Sequence, residues 1–261
     1  MRCFFDTAVI NGSTSLTEGS STFFTQKQGV FDTPVLFSDS AYGHKGLQVS
    51  MPSSSNNNVS DRIEYIWVNE NDSDAPAFDG QARYLGFTFQ LMPGSVAPVV
   101  QNPLISQFWQ GGSSTLKYSP PVYLEFILGT LNAQLCVKND GTGKFLANPP
   151  IIIWQGAINI GEWHRYIIRV LPNYTADYGA SKSSPVGALV NGNGEVRLWV
   201  DGVSVARFNG QVGYTPQSQG GDPVVLDTMR VKTGLYRHDG NPAFVTGWHN
   251  VMYGTTYSSV S

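Results

Sequence analysis

Apolar and polar residues alternate with a period of two along most of this chain, which is the spacing of a β-strand with one buried face. In the segment 83–91, large apolar residues from Leu85 onward share one side, and Tyr84 begins the polar side. The segment 122–128 repeats the pattern. No window keeps the 3.6-residue apolar period of a helix with caps at both ends. The pattern therefore predicts an all-β protein whose sheets have one wet face.

Turn-forming residues divide the chain into eleven predicted strands: 46–51, 62–69, 83–91, 104–110, 122–128, 134–138, 162–170, 195–200, 203–208, 229–237 and 248–253. The pair Asp201-Gly202 stands between two alternating runs, where it suits the type I′ turn of a hairpin. We predict a single domain over residues 1–261, and so many strands in one domain require two packed antiparallel sheets. A polar and aromatic sheet face that curves into a groove would suit an extended chain ligand.

Polar segments rich in glycine, serine and asparagine are predicted to be surface loops: 53–60, 69–80, 173–194 and 210–223. A structural calcium ion could bind among the acidic residues of 69–79. No pair of histidines has the spacing of metal ligands, and we predict no other metal and no cofactor.

Charge and hydropathy narrow the range of partners. The 16 basic and 19 acidic residues give a net charge of −3, which argues against a generally basic surface for nucleic acid. There is no apolar run near 18 residues, so we expect no membrane span. The first residues turn polar too soon for a signal peptide, so we expect an extracellular protein whose leader was removed or a protein released in a virus particle. Cys3 and Cys136 could form one disulfide.

The segment 230–237 carries the most informative candidate chemistry. Strand alternation puts Arg230, Lys232 and Tyr236 on one face, so that two cations and a phenol share a polar surface. Such a surface could bind an anionic sugar, and nearby positive charge favours the phenolate form of a tyrosine. The alternative is a half-exposed strand with ordinary surface residues.

Three motifs in chain order are Arg62-Ile63-Glu64, Gln107-Phe108-Trp109 and Lys232-Thr233-Gly234-Leu235-Tyr236. Together they resemble the alginate, glucuronan and heparin lyase-like polysaccharide lyases, in which Arg-x-Glu, Gln-x-His and Lys-x-Gly-x-Tyr strands line the substrate groove. Residues 161–164, 194–202 and 249–254 also resemble strands common in such sandwiches. The resemblance spans roughly residues 46–254 and implies an antiparallel, concanavalin A-like jelly roll that acts on an acidic polysaccharide.

The resemblance also implies a reaction, β-elimination at a uronate. The substrate carboxylate must be neutralised before the neighbouring C5 proton can leave, and Gln107, Arg62 and Lys232 are the candidates for this role. Tyr236 is the candidate base, acid or both; a free tyrosine has a pKa of about 10, so base work near neutral pH needs cations beside it.

One position departs from the family pattern, because Trp109 stands where the pattern has histidine. By alternation Trp109 shares a face with Gln107, so it could form a stacking platform for a sugar ring. Glu64, Tyr84 and Arg230 are further candidates for substrate binding. His44 is the candidate replacement for the missing imidazole.

Other reaction classes lack their residue patterns. There is no run of alternating carboxylates for a retaining glycosidase, no Gly-x-Ser-x-Gly elbow, no phosphate-binding Gly-Lys-Ser/Thr loop and no zinc cluster. The main alternative to a lyase is a non-catalytic carbohydrate-binding or structural sandwich, such as a virion surface or tail protein. A β-sandwich fold by itself fits both roles.

Overall fold

A computed structural model describes residues 2–3, 5, 9–11, 15–18, 21–28, 32–39, 43–53, 61–66, 80–112, 120–138, 149–177, 186–189, 191–213, 226–237 and 240–261. Its strands, in chain order, are β1 (Arg2–Cys3), β2 (Val9–Asn11), β3 (Ser15–Glu18), β4 (Ser21–Gln28), β5 (Val35–Asp39), β6 (His44–Met51), β7 (Asp61–Ile66), β8 (Arg83–Leu91), β9 (Leu104–Gly112), β10 (Val122–Phe126), β11 (Asn132–Val137), β12 (Ile151–Ala157), β13 (Trp163–Leu171), β14 (Tyr174–Asp177), β15 (Val186–Leu189), β16 (Gly194–Val200), β17 (Val203–Gly210), β18 (Leu226–Arg237) and β19 (Phe244–Gly254). A short 3-10 helix, Tyr257–Ser259, follows.

These strands form two large antiparallel sheets. The eight-stranded sheet has the order β17-β16-β13-β8-β19-β6-β5, with β1 paired to β19. The nine-stranded sheet has the order β12-β11-β10-β9-β18-β7-β4-β3-β2, and β14 pairs with β15 separately. Among the described residues, no helix is long and apolar enough to cross a membrane.

The core lies between the inner faces of the two large sheets. From the eight-stranded sheet, Leu85, Phe87 and Phe89 are fully buried, and from the nine-stranded sheet Leu124 and Phe126 are as well. The rings of Phe89 and Phe126 meet across the interface at a centroid distance of 6.2 Å. Each such side chain contributes about 1.5–3 kcal/mol by leaving water. The predicted core positions of these two strands are confirmed.

The predicted sandwich is confirmed, and each of the eleven predicted strands overlaps an observed one. The hairpin turn is also confirmed, since Asp201 and Gly202 both have positive φ, at 50° and 79°. The prediction that 173–194 is only a loop is wrong, because β14 and β15 lie within it. Strand β12 escaped prediction because its Ile-Ile-Ile-Trp start is continuously apolar and shows no alternation. Cys136 is a buried free thiol, so the alternative of a disulfide is not realised.

A buried arginine on the nine-stranded sheet bonds a carboxylate of its own sheet and main-chain segments next to the other sheet. Arg237, at the end of β18, is 1% exposed and donates from Nε to the Oδ2 atom of Asp61 on β7 at 2.9 Å. Its Nη1 atom donates to the Pro242 carbonyl oxygen at 2.5 Å, and Nη2 donates to the Pro52 carbonyl oxygen beyond β6. One guanidinium therefore fixes β7 and β18 against a segment that follows a strand of the other sheet.

Candidate active site

The three family-like motifs meet on neighbouring strands in the middle of the nine-stranded sheet. Strand β18 lies between β7 and β9. Along β7, Tyr236 pairs with Arg62 and Gly234 with Glu64, and along β9, Lys232 pairs with Gln107. Residues that are 125 or more positions apart in sequence are thereby one strand spacing apart, about 4.8 Å.

The side chains of the motifs point away from the core. Ile63 and Tyr65 on β7 and Leu235 on β18 belong to the hydrophobic core. Because side chains alternate along a strand, Arg62, Glu64 and Tyr236 occupy the opposite, outer face. This outer face of β7, β18 and β9 is called the site face below, and it is the face on which the groove is predicted.

The structure explains why the Lys-x-Gly-x-Tyr motif has glycine at position 234. Its φ is +134°, and a Cβ atom there would lie 2.2 Å from the carbonyl oxygen of Ile63. The pairing of β18 with β9 shifts between Thr233 and Tyr236, while the pairing with β7 stays regular. Glycine thus permits a bulge at which only a residue without a side chain fits against the β7 backbone.

Glu64 is the buried centre of the site face. It is 1% exposed, and the Nε2 amide of Gln107, itself 3% exposed, donates a short hydrogen bond to its Oε1 atom. The Nε atom of Arg62 lies 3.3 Å from Oε2 of Glu64. Glu64 was predicted to bind substrate, but its contacts indicate a positioning role, because it holds the amide of Gln107 and the guanidinium of Arg62.

Two cations lie against two aromatic rings on this face. The Cζ atom of Arg62 is 4.0 Å from the ring centroid of Tyr236, and the Nζ atom of Lys232 is 4.2 Å from that of Trp109. Lys232 is 4% exposed, whereas Tyr236 and Trp109 are half-buried. The Arg62 guanidinium thus makes a cation–π contact with the Tyr236 ring. Trp109 meets a cation on one ring face, which leaves only its other face for a sugar.

Two predicted substrate-binding residues lie elsewhere, and their assignment to the groove is corrected. Tyr84 is on β8 of the eight-stranded sheet, where its hydroxyl accepts a hydrogen bond from Nε of Arg169 at 3.1 Å. His44 is on β6 of the same sheet, paired with Asp39 of β5. Alternation showed which side of a strand these residues occupy but not which sheet the strand joins. Arg230 on β18 pairs with Trp109 on β9, and the side chain of Arg230 lies outside the described residues.

The outer face of the same sheet also holds, beside the site face, a polar network that sequence reasoning missed. Glu125 on β10 accepts hydrogen bonds from the amides of Asn102 at 3.0 Å and Gln134 at 2.7 Å, and Gln155 donates to Gln134 at 2.9 Å. Burial raises the pKa of Glu125 although these amides oppose the shift. The signal was present in the sequence, because Leu124 and Phe126 are core residues and Glu125 must therefore face outward.

Metal ligands do not gather in the part of the chain that the structure describes: no three side chains of histidine, cysteine, aspartate or glutamate are grouped there. The acidic segment 69–79, where calcium binding is predicted, lies outside the described residues.

A two-sheet sandwich that gathers cations, an amide and aromatic rings on one outer sheet face has the make-up of a carbohydrate-active β-sandwich protein. The chain belongs to the polysaccharide lyase family, since the model of that family, described as "Polysaccharide lyase", matches residues 19–252. The predicted family is confirmed. No curated protein matches the chain at the level of sequence.

Solved structures of lyases share the fold. The endo-beta-1,4-glucuronan lyase from the fungus Trichoderma reesei is 16% identical with a TM-score of 0.59, over 91% of this chain and 92% of that one. Alginate lyase A1-II′, a member of polysaccharide lyase family 7, is 12% identical with a TM-score of 0.54, over 86% of this chain and 85% of that one. At these identities the likeness establishes the sandwich fold.

Proposed function

We propose that the protein cleaves a uronate-containing acidic polysaccharide by β-elimination at the site face. The observation that carries the proposal is the meeting of Gln107, Lys232, Arg62 and Tyr236 on three adjacent strands. A structural sandwich has no need to bury a lysine, a glutamate and a glutamine on the outer side of a sheet, because burying such groups costs free energy unless they are paired.

The first task of the site is to neutralise the uronate carboxylate. Loss of the C5 proton places negative charge on that carboxylate and on C5, so donors aimed at it lower the barrier. Lys232 and Gln107 are paired across β18 and β9 and supply an ammonium and an amide to one carboxylate. Glu64 fixes the amide of Gln107 before the substrate arrives, which reduces the cost of ordering it.

Tyr236 carries the proton in this proposal. Its phenolate takes the C5 proton, the electron pair of the C5–H bond forms the C4=C5 double bond, and the C4–O bond breaks. The phenol then protonates the departing oxygen, so that Tyr236 returns to its starting state and no water is consumed. The Arg62 guanidinium, 4.0 Å from the ring, stabilises the phenolate by Coulomb attraction.

The rival function is carbohydrate binding without catalysis, and one observation favours it. Within the described ranges the histidines are His44, His164 and His249, on β6, β13 and β19 of the eight-stranded sheet. The site face is thus without an imidazole from these residues, and Trp109 occupies the family position of histidine. In our proposal Tyr236 serves as both base and acid, so the reaction does not need the imidazole.

The glucuronan and alginate lyases that share the fold suggest polymers to test first, and we propose a 1,4-linked polyuronate as the substrate class. We place this action outside the cell or on a virus particle, where long acidic polysaccharides are met.

The experiment is to follow ultraviolet absorbance of the unsaturated product on glucuronan, alginate, heparin-type and capsular polymers, with wild type and Tyr236→Phe side by side. The proposal expects a rise on at least one polymer that the variant abolishes. Polymer binding without any rise would replace it with the binding function.

A further inference from the structure

On the side of the sandwich opposite the site face, three arginines stand in one cross-strand row. Arg169 on β13 pairs with Arg197 on β16, which pairs with Arg207 on β17. Their neighbours Val170 and Val196 are core residues, so the arginines point outward. Strands are spaced about 4.8 Å apart, so the row extends over about 10 Å.

A single carboxylate holds this row together. The Nε and Nη2 atoms of Arg197 donate to Glu195 at 2.8 and 2.9 Å, Nη2 of Arg207 lies 2.8 Å from its Oε2 atom, and Nη1 of Arg169 also donates to it. Burial alone would raise the pKa of Glu195, but hydrogen bonding by Arg197 and the charge of Arg169 lower it overall. The carboxylate is therefore ionised at neutral pH.

The row keeps a local excess of positive charge. Three guanidinium groups against one carboxylate leave a formal charge of 3 − 1 = +2, in a chain whose net charge is −3. Like charges directly opposite one another in a sheet are unfavourable, and one glutamate offsets this only in part. The side chains of Arg197 and Arg207 are 36% and 57% exposed, so both can meet a ligand.

Aromatic rings lie beside the row. Tyr84 pairs with Arg169 as the next member of the row, and its ring centroid is 6.4 Å from that of the half-buried Trp199. Tyr257, from the 3-10 helix, packs against Trp199 at 5.0 Å. Guanidinium groups bind carboxylates in a planar, bidentate manner, and aromatic rings stack on sugars, so the two features together suit an acidic sugar chain.

We propose that this arginine row is a second, non-catalytic binding surface for an acidic polysaccharide, on the face of the sandwich opposite the site. The carboxylates of successive uronates bind Arg197 and Arg207, and the aromatic residues beside the row contact the sugar rings. The choice of ligand rests on the proposed function. A second surface would keep the enzyme on its polymer after each cleavage, because two linked contacts raise the effective concentration of the substrate.

The test is affinity electrophoresis in gels that contain glucuronan or alginate, with Tyr236→Phe as the background so that the polymer stays intact. The row variant is Arg197→Gln with Arg207→Gln, and the single change Arg207→Gln guards against misfolding because Glu195 keeps two arginine partners. Lys45→Gln, an exposed position on β6, is the matched control for loss of one positive charge.

We expect the double change to weaken polymer binding by about tenfold and the single change by less, since each removes charge-assisted contacts. In the active background, turnover of short oligosaccharides should stay unchanged. The proposal would be overturned if Arg207→Gln were retarded by the polymer as much as Lys45→Gln. It would also be overturned if the row variants lost as much retardation in gels that contain DNA as in gels that contain the polysaccharide. If the wild type cleaves the polymer but the row variants bind it as well as their background does, only this inference is rejected. If the row variants bind the polymer less but the wild type shows no elimination, only the proposed function is rejected.

Discussion

Two arginine–carboxylate pairs lie side by side on β7 and β18, one on each side of the sheet. On the inner side, Asp61 of β7 pairs with Arg237 of β18. On the outer side, Arg62 of β7 lies against Glu64 of the same strand and pairs with Tyr236 of β18. The inner arginine bonds Asp61 and main-chain carbonyl oxygens and is 1% exposed. The outer arginine is 17% exposed, and within the described residues its Nε atom has no hydrogen-bond acceptor, nor has Oε2 of Glu64 a donor.

The difference separates a fully buried ion pair from one whose arginine is partly exposed on the site face. Burying two charges costs several kcal/mol each, and the inner pair offsets this cost because backbone acceptors complete the guanidinium. The outer pair has Coulomb attraction at 3.3 Å but incomplete hydrogen bonding. We therefore expect the inner face of these two strands to serve stability and the outer face to serve the proposed reaction.

The largest effect is expected at Tyr236. Tyr236→Phe keeps the ring against Arg62 but removes the hydroxyl that carries both proton transfers, so the elimination rate should fall by about 10³–10⁴. Initial rates of product absorbance measure this, with an unchanged melting temperature as the control. A variant that retains more than a tenth of the rate would remove Tyr236 from the reaction.

The inner pair should dominate stability. Arg237→Met leaves Asp61 buried without its partner, and we expect a loss of about 3–5 kcal/mol in the free energy of unfolding, measured by denaturant titration. The matched outer variant, Arg62→Met, should cost less stability, because Arg62 is partly exposed and Gln107 still donates to Glu64, while it lowers activity. Equal losses of stability would contradict the division between the two sides of the sheet.

Lys232, unlike Arg237, should matter more for activity than for stability. Lys232→Met keeps the length of the side chain against Trp109 and removes the charge that faces the substrate carboxylate, so kcat should fall by about 10²–10³. Steady-state kinetics on a defined oligosaccharide check this. If only KM changed, Lys232 would bind ground state and transition state equally, and its role in charge stabilisation would be wrong.

The smallest effect on stability is expected at Glu125, and the direction in which this effect changes with pH can be tested. Burial raises its pKa in the folded protein, so its contribution to stability is present in acid and is lost as pH rises from near the usual value of 4.5 through the raised value. Glu125→Gln removes this loss and keeps an oxygen for the Gln134 amide. The variant should gain stability relative to wild type above that range, on the order of 1 kcal/mol. A gain that is largest in acid would reverse the sign and contradict the account.

Sequence alone predicted the sandwich and the strand faces of the site candidates, because both depend on local patterns. Period-two alternation located strands such as β8, and the three motifs placed Gln107, Lys232 and Tyr236 on polar faces. It failed where the answer depends on pairing between distant strands. Tyr84 has a polar-side position like that of Tyr236, yet β8 joins the other sheet. Glu64 has a partner on β9 that no local pattern reveals.

The central claim is that the site face performs an elimination through Tyr236, and the most direct test is the mass of the products formed in heavy-oxygen water. Elimination consumes no water, so the account predicts unsaturated products without solvent oxygen from wild type and no products from Tyr236→Phe. Products that carry solvent oxygen, or undiminished cleavage by the variant, would contradict it.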